Sequence, residues 1–148
     1  MSRSDIKRAI ARHRVAAAEE AAATLASRGA GTLSYDELER RLRSYILFKY
    51  RLTPEEARDG EGRAESGLEA LAQLSLDKAL KEAPEHAAVE TMSATCDGAD
   101  STTTKQALLL MAVQEDFDAA FDGFAAAFAE TVGDLAKMVW ESYGNGSR

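Results

Sequence analysis

Apolar residues recur every three or four positions along most of this chain, the spacing that gathers them on one side of an α-helix. The first such stretch predicts a helix from Asp5 to about Ser27, with Ser4 as its N-cap and Gly29 and Gly31 at its end. Alternation of apolar and polar residues, which is typical of a half-buried strand, is rare. The pattern therefore predicts an all-α protein.

The N-terminal half contains two further helix-start signals. Ser34 followed by Glu37 is a capping box, and the bulky apolar residues after it predict a well-buried second helix. Thr53-Pro54-Glu55-Glu56 is typical of a third helix start, with a threonine cap and proline at the first position. That helix is expected to be short, because Asp59-Gly60-Glu61-Gly62 interrupts it. This interruption is the predicted boundary between residues 1–60 and residues 63–148.

Beyond that boundary the same periodicity predicts several more helices. One covers about Glu65 to Glu82 and is closed by Pro84, and residues 85–100 are expected to form a loop. The others are expected at about Thr102–Asp116, at an aromatic segment from Phe121 to Phe128, and at about Thr131–Tyr143.

Charge is unevenly distributed along the chain. The whole chain carries −7, with +3 on residues 1–60 and −10 on residues 61–148. The acidic second half argues against nucleic-acid binding and suits docking on basic partners, although a solvated acidic face explains it equally well. No apolar run is long enough to span a bilayer, the basic start lacks the apolar core of a secretory signal, and Cys96 is the single cysteine. These features predict a cytoplasmic protein without a membrane partner.

The turn Gly98-Ala99-Asp100-Ser101 leads directly into a predicted helix. A serine hydroxyl at this position lies beside unpaired backbone N–H groups and the positive end of the helix dipole, which together favour a phosphate. The turn is therefore a candidate attachment point for a phosphodiester. An ordinary helix cap made by Asp100 or Ser101 is the equally simple alternative.

The same region resembles the acyl carrier protein family, whose members carry a prosthetic group on the serine of such a turn. Glu115-Asp116-Phe117-Asp118 is similar to the end of the family's second helix, and Thr131-Val132-Gly133-Asp134-Leu135 is similar to the start of its fourth. The resemblance implies a carrier-like four-helix module over about residues 63–148. Residues 1–60 have no counterpart in it and are expected to form a helical N-terminal extension of two or three helices, which packs on the module or binds a partner.

If the resemblance holds, the protein is a carrier and not an enzyme. Ser101 would hold 4′-phosphopantetheine, Asp100 would orient the turn and help recruit the modifying enzyme, and Thr102, Lys105 and Gln106 would dock partner proteins. The implied partners are a phosphopantetheinyl transferase and enzymes that handle acyl or aminoacyl thioesters. The alternative is a non-catalytic helical interaction or adaptor protein with a carrier-like fold and no prosthetic group. The sequence leaves the oligomeric state open.

Other residues give weaker signals. A nucleophilic pair of Cys96 and His86 is conceivable, but a lone cysteine is more often a buried small hydrophobe, and no Cys or His cluster has metal-ligand spacing. The basic side of the second helix is expected to meet the acidic half, in the same chain or in a partner; it consists of Arg40, Arg41, Arg43, Lys49 and Arg51. An aromatic group is expected in the core and comprises Phe117, Phe121, Phe124, Phe128 and Trp140.

Overall fold

The computed structural model describes residues 3–82, 101–122 and 126–144, and the structural statements below concern these residues. They form five helices and no strand, which confirms the all-α prediction for this part of the chain. The helices are α1 (Arg3–Gly29), α2 (Tyr35–Lys49), α3 (Leu68–Glu82), α4 (Thr102–Asp116) and α5 (Val132–Ser142).

Helices α1 and α2 form an antiparallel hairpin with a short connection. Gly31 has a positive φ of 75°, a conformation that a glycine adopts without steric cost, and Ser34 then caps α2 by accepting a hydrogen bond from the Glu37 N–H at 3.1 Å. The Glu37 carboxylate accepts hydrogen bonds from the Ser27 hydroxyl and from Arg41, which lie outside the predicted capping box. The prediction that Ser4 caps α1 is wrong, because Ser4 already lies in the first helical turn.

Helix α2 ends in a Schellman motif whose left-handed residue is not glycine. The Leu52 N–H donates to the Leu47 carbonyl and the Arg51 N–H to the Phe48 carbonyl, with Arg51 at φ 57°. Side chains of α3 hold this turn, since Ser75 donates to the Tyr50 carbonyl at 2.8 Å and Lys78 donates to the Arg51 carbonyl. The strained conformation is thus compensated by packing against α3.

Thr53 and Glu56 form a capping box without a helix behind it. The Glu56 N–H donates to Thr53 Oγ1 at 3.2 Å, and the Thr53 N–H donates to Glu56 Oε1 at 2.9 Å. The chain then turns away, because Asp59 Oδ1 accepts the N–H groups of Glu61 and Arg63 at 2.8 and 3.0 Å. The predicted third helix is therefore a single turn.

Helices α3 and α5 begin side by side. The Leu68 N–H donates to the Glu130 carbonyl at 2.9 Å, and the Val132 N–H donates to the Ser66 carbonyl at 2.8 Å. Each helix thus satisfies one unpaired N–H of its first turn with a carbonyl from the segment before the other helix. Thr131 completes the start of α5 in a full capping box with Asp134.

A single hydrophobic core draws on both predicted parts of the chain. Each helix contributes buried apolar residues to it, among them Ala17, Leu42, Leu71, Leu109 and Val139. Helix α5 packs on α2, while α3 packs on α4. The helices beyond residue 62 therefore share their core with the N-terminal helices.

Candidate functional site

Ser101 is the N-cap of α4. Its backbone is extended, and its hydroxyl accepts a hydrogen bond from the Thr104 N–H at 3.1 Å and donates one to Thr104 Oγ1 at 2.9 Å. The residue as a whole is half-buried, and both hydrogen bonds of its hydroxyl are exposed, so the hydroxyl lies at the protein surface. The local geometry expected from the sequence, a serine hydroxyl where a helix begins, is present.

The first turn of α4 can accept an anion on chemical grounds. It contains threonines at positions 102 to 104 and no carboxylate, and its backbone N–H groups point out of the helix end. A phosphoryl group on Ser101 would meet these N–H groups. Asp100, the other expected site residue, lies outside the described residues, as do His86, Cys96 and Phe124.

Lys105 is turned into the protein. It is 1% exposed, and its Nζ lies 5.4 Å from the centre of the Tyr50 ring, in the range of a cation–π interaction. A buried side chain cannot contact a docking partner, so this position does not fit the partner-docking role expected for Lys105. Thr102 and Gln106 are half-buried and reach the surface.

The solvent-facing side of α4 is uncharged over more than three turns. Thr103, Ala107 and Met111 lie four residues apart on this side, and Met111 is 65% exposed. From Thr102 to Gln114 the buried Lys105 is the single charged residue. In a protein of net charge −7, such a face is a candidate contact surface for an apolar partner.

The C-terminal end of α4 is held by buried aromatic side chains. The Tyr45 hydroxyl donates to Asp116 Oδ2 at 2.6 Å, and the Tyr45 ring lies edge-on to Phe117 with ring centres 4.9 Å apart. Both aromatic side chains are completely buried. The acidic-aromatic motif therefore has a structural role here, because it joins α4 to α2.

Helices α1 and α5 also meet this end of α4. Tyr143 donates to the Phe117 carbonyl at 2.5 Å, and the Arg28 guanidinium lies 4.0 Å from the centre of the Tyr143 ring. Arg28 is also 3.6 Å from the Asp118 carboxylate. Burial raises the pKa of Tyr143 to about 12.

Titratable side chains of α1 and α2 have structural partners. His13 Nδ1 is 2.7 Å from the Ala9 carbonyl, and Arg41 pairs with Glu20 and Glu37 at 3.2 and 2.9 Å. The hydrogen bond from Arg41 lowers the pKa of Glu37. The basic side of α2 was expected to meet the acidic half of the chain. Among the described ion pairs, one makes this contact: Arg51 lies 3.6 Å from the Glu82 carboxylate.

The part of the chain that the structure describes offers neither a metal-binding cluster nor a membrane-spanning helix. Its residues contain no group of three or more His, Cys, Asp or Glu arranged to hold a metal ion. None of its helices is both long and apolar enough to cross a membrane. Comparison of the chain with protein-family models, with curated proteins and with solved structures gives no match.

Proposed function

We propose that this protein is a carrier that tethers acyl or aminoacyl thioesters through 4′-phosphopantetheine on Ser101. The observation that supports the proposal most directly is the surface hydroxyl of Ser101 at the N-terminus of α4. The resemblance of residues 98–135 to acyl carrier proteins supplies the chemical class.

The residues around Ser101 fit such a group. Once esterified, the Ser101 oxygen still accepts the Thr104 N–H, so the helix keeps its cap, while the hydrogen bond that the hydroxyl donates to Thr104 Oγ1 is lost. The first-turn N–H groups of α4, at the positive end of the helix dipole, would hold the phosphate oxygens. The terminal thiol of the arm, when present, supplies the thioester chemistry.

Attachment would require one displacement at phosphorus. The Ser101 oxygen forms the new P–O bond at the pyrophosphate of coenzyme A, and adenosine 3′,5′-bisphosphate leaves. The hydroxyl proton passes to the transferase, which supplies the catalytic groups. In the free protein the Ser101 hydroxyl donates to Thr104 Oγ1, with 2.9 Å between the two oxygens, so Thr104 is expected to orient the hydroxyl and not to act as a base.

The proposal is tested by incubating the full chain with coenzyme A and a broad-specificity phosphopantetheinyl transferase, followed by intact-mass measurement. The native chain is expected to gain the mass of one arm, and Ser101→Asp to gain none. Aspartate keeps an N-cap acceptor, so a loss of modification in this variant reflects the missing hydroxyl and not a lost helix.

Ser34 offers a matched control. Its hydroxyl caps α2 by accepting the Glu37 N–H at 3.1 Å, just as the Ser101 hydroxyl accepts the Thr104 N–H at 3.1 Å. Ser34→Ala is expected to be modified as fully as the native chain. The proposal would be overturned if the folded native chain gained no mass. It would also be overturned if the Ser101→Asp variant were modified to the same extent as the native chain.

The second candidate function is an adaptor or interaction protein without a prosthetic group. One observation favours it: α5 packs on α2, so the carrier-like helices depend on the N-terminal helices for their core. The uncharged face of α4 around Met111 would then be the contact surface for a protein partner. This candidate predicts that partner binding survives Ser101→Asp and is lost in Met111→Glu.

A further inference from the structure

The N-terminal end of α1 is strongly basic. Its first twelve residues carry five exposed cationic side chains, and between residues 3 and 18 the single acidic residue is Asp5. The five, which we call the basic end, are Arg3, Lys7, Arg8, Arg12 and Arg14. The apolar side of this part of the helix is covered, since Ile6 is 4% exposed. The basic end therefore offers charge and not an insertable apolar face.

An acidic surface lies at the opposite end of α1. It consists of four exposed carboxylates, which we call the acidic edge. Glu115 belongs to α4, Asp118 and Asp122 follow α4, and Glu141 belongs to α5. The two segments that carry them are joined by the hydrogen bonds from Tyr143 to the Phe117 carbonyl, at 2.5 Å, and from the Ala120 N–H to Ser142, at 3.2 Å. The contact of Arg28 with Asp118 at 3.6 Å fixes this edge beside the last turn of α1.

The two charged surfaces are too far apart to meet within one molecule. Arg8 and Arg28 are separated by about 30 Å along the helix axis at 1.5 Å per residue. This distance exceeds the Debye length, which is about 8 Å at physiological ionic strength. Their attraction is therefore available to a second copy. When two copies lie antiparallel along α1, each basic end faces the acidic edge of the other, and the two contacts are related by a twofold axis.

The middle of α1 permits such an approach. Its outward side carries small, uncharged residues at spacings of four, three and four, namely Ala11, Val15, Ala18 and Ala22, and Val15 is 59% exposed. This is the spacing of an antiparallel coiled-coil seam. In the antiparallel register that places Val15 opposite Ala18, the flanking residues Arg12 and Glu19 face each other across the axis.

We propose that two copies of this chain associate antiparallel along α1, with each basic end on the acidic edge of its partner. The inference is independent of any group on Ser101. A single helix pair buries little surface, so the dimer belongs to the weak class and depends on protein concentration and salt.

Sedimentation velocity of the full chain over a series of concentrations tests the association. A monomer–dimer equilibrium is expected at about 50 mM NaCl, with the dimer weakened at about 500 mM because salt screens exposed charges. A chain that stays monomeric throughout would overturn the proposal.

Charge reversal tests the surfaces. Arg3→Glu with Lys7→Glu, and separately Glu115→Lys with Glu141→Lys, are each expected to weaken dimerisation by about tenfold or more, since every reversed pair occurs twice. Mixing the two variants is expected to restore a heterodimer, because each reversed basic end then meets a reversed acidic edge.

Matched reversals elsewhere serve as controls, with circular dichroism confirming the helical fold of every variant. Arg63→Glu with Lys81→Glu, and Glu55→Lys with Glu61→Lys, change the net charge equally at exposed residues that belong to neither the basic end nor the acidic edge. They are expected to dimerise as the native chain does. A dimer that survives both reversals, or a mixture that stays monomeric, would contradict the proposed arrangement.

Discussion

The two ends of helix α4 differ in what surrounds them. At the C-terminal end, Asp116 and Phe117 are held by Tyr45 of α2 and by Tyr143 beyond α5. At the N-terminal end, the hydrogen bonds of the Ser101 side chain run to Thr104 of the same helix, and the hydroxyl lies at the surface. Packing therefore accounts for the acidic-aromatic motif. The proposed covalent chemistry lies at the other end, on Ser101.

The largest expected effect is at the packed end. Phe117→Ala removes a completely buried ring that lies against Tyr45, and it is expected to lower the free energy of unfolding by about 3–5 kcal/mol. Urea denaturation followed by circular dichroism measures this change. Phe128→Ala is the control, since Phe128 is 69% exposed and its removal is expected to cost less than about 1 kcal/mol. Equal losses in the two variants would show that the end of α4 is not a core junction.

The hydrogen bond from Tyr45 to the Asp116 carboxylate gives the next effect. Tyr45→Phe keeps the ring and removes a charge-assisted hydrogen bond at a buried side chain, so about 1.5–3 kcal/mol is expected to be lost. Tyr143→Phe removes a hydroxyl bonded to a neutral carbonyl and is expected to cost about 0.5–1.5 kcal/mol. The reverse order in thermal or urea denaturation would contradict the assignment of the carboxylate to the junction.

A smaller effect is expected at the N-terminal end of α4. Ser101→Ala removes the N-cap of α4 and is expected to destabilise the protein by about 1 kcal/mol, as is Ser34→Ala at α2. Ser101→Asp is expected to recover most of this loss. If Ser101→Ala proved neutral while Ser34→Ala was destabilising, the Ser101 hydroxyl would not be acting as a cap in solution.

Alkaline pH distinguishes the two ends in a further way. The pKa of Tyr143 in the folded protein lies above the ordinary value of 10.0, at about 12. The contribution of Tyr143 to stability is therefore intact below pH 10 and falls as pH rises toward 12, because the unfolded chain loses the proton first. Tyr143→Phe is expected to show less of this loss in denaturation at a series of pH values, whereas Ser101→Ala leaves it unchanged. If the native chain and the Tyr143→Phe variant lost the same stability at alkaline pH, the loss could not be assigned to Tyr143.

Helix caps could be predicted from the sequence because capping is local. Ser34, Ser101 and Thr131 each accept a hydrogen bond from an N–H three residues ahead. The neighbours of Ser34 identify it as a cap, whereas at α4 they leave Asp100 or Ser101 open. The same reasoning failed at Thr53, where the capping box forms but Asp59 turns the chain before a helix can propagate. A start signal fixes one turn, and propagation of the helix depends on the residues beyond that turn.

The candidate site was predictable only in part. The position of Ser101 at a helix start can be derived from its neighbours, whereas the burial of Lys105 cannot. Lys105, Leu109 and Val113 lie four residues apart on the inward side of α4, so a charged residue at a periodic apolar position was the available signal. Its ring partner, Tyr50, is 55 positions away in the chain, and no local pattern links the two.

The amino-acid sequence by itself determined that this protein is helical, where most of its helices begin and end, and that Asp100 or Ser101 lies at the start of one of them. These properties depend on hydrogen bonds and periodicity within a few residues. Only the tertiary structure decided that α5 packs on α2, that the end of α4 is a junction of three helices, and that opposite charges lie at the two ends of α1. Such contacts join residues distant in the chain, and the free energy that selects them comes from burying whole helix faces together.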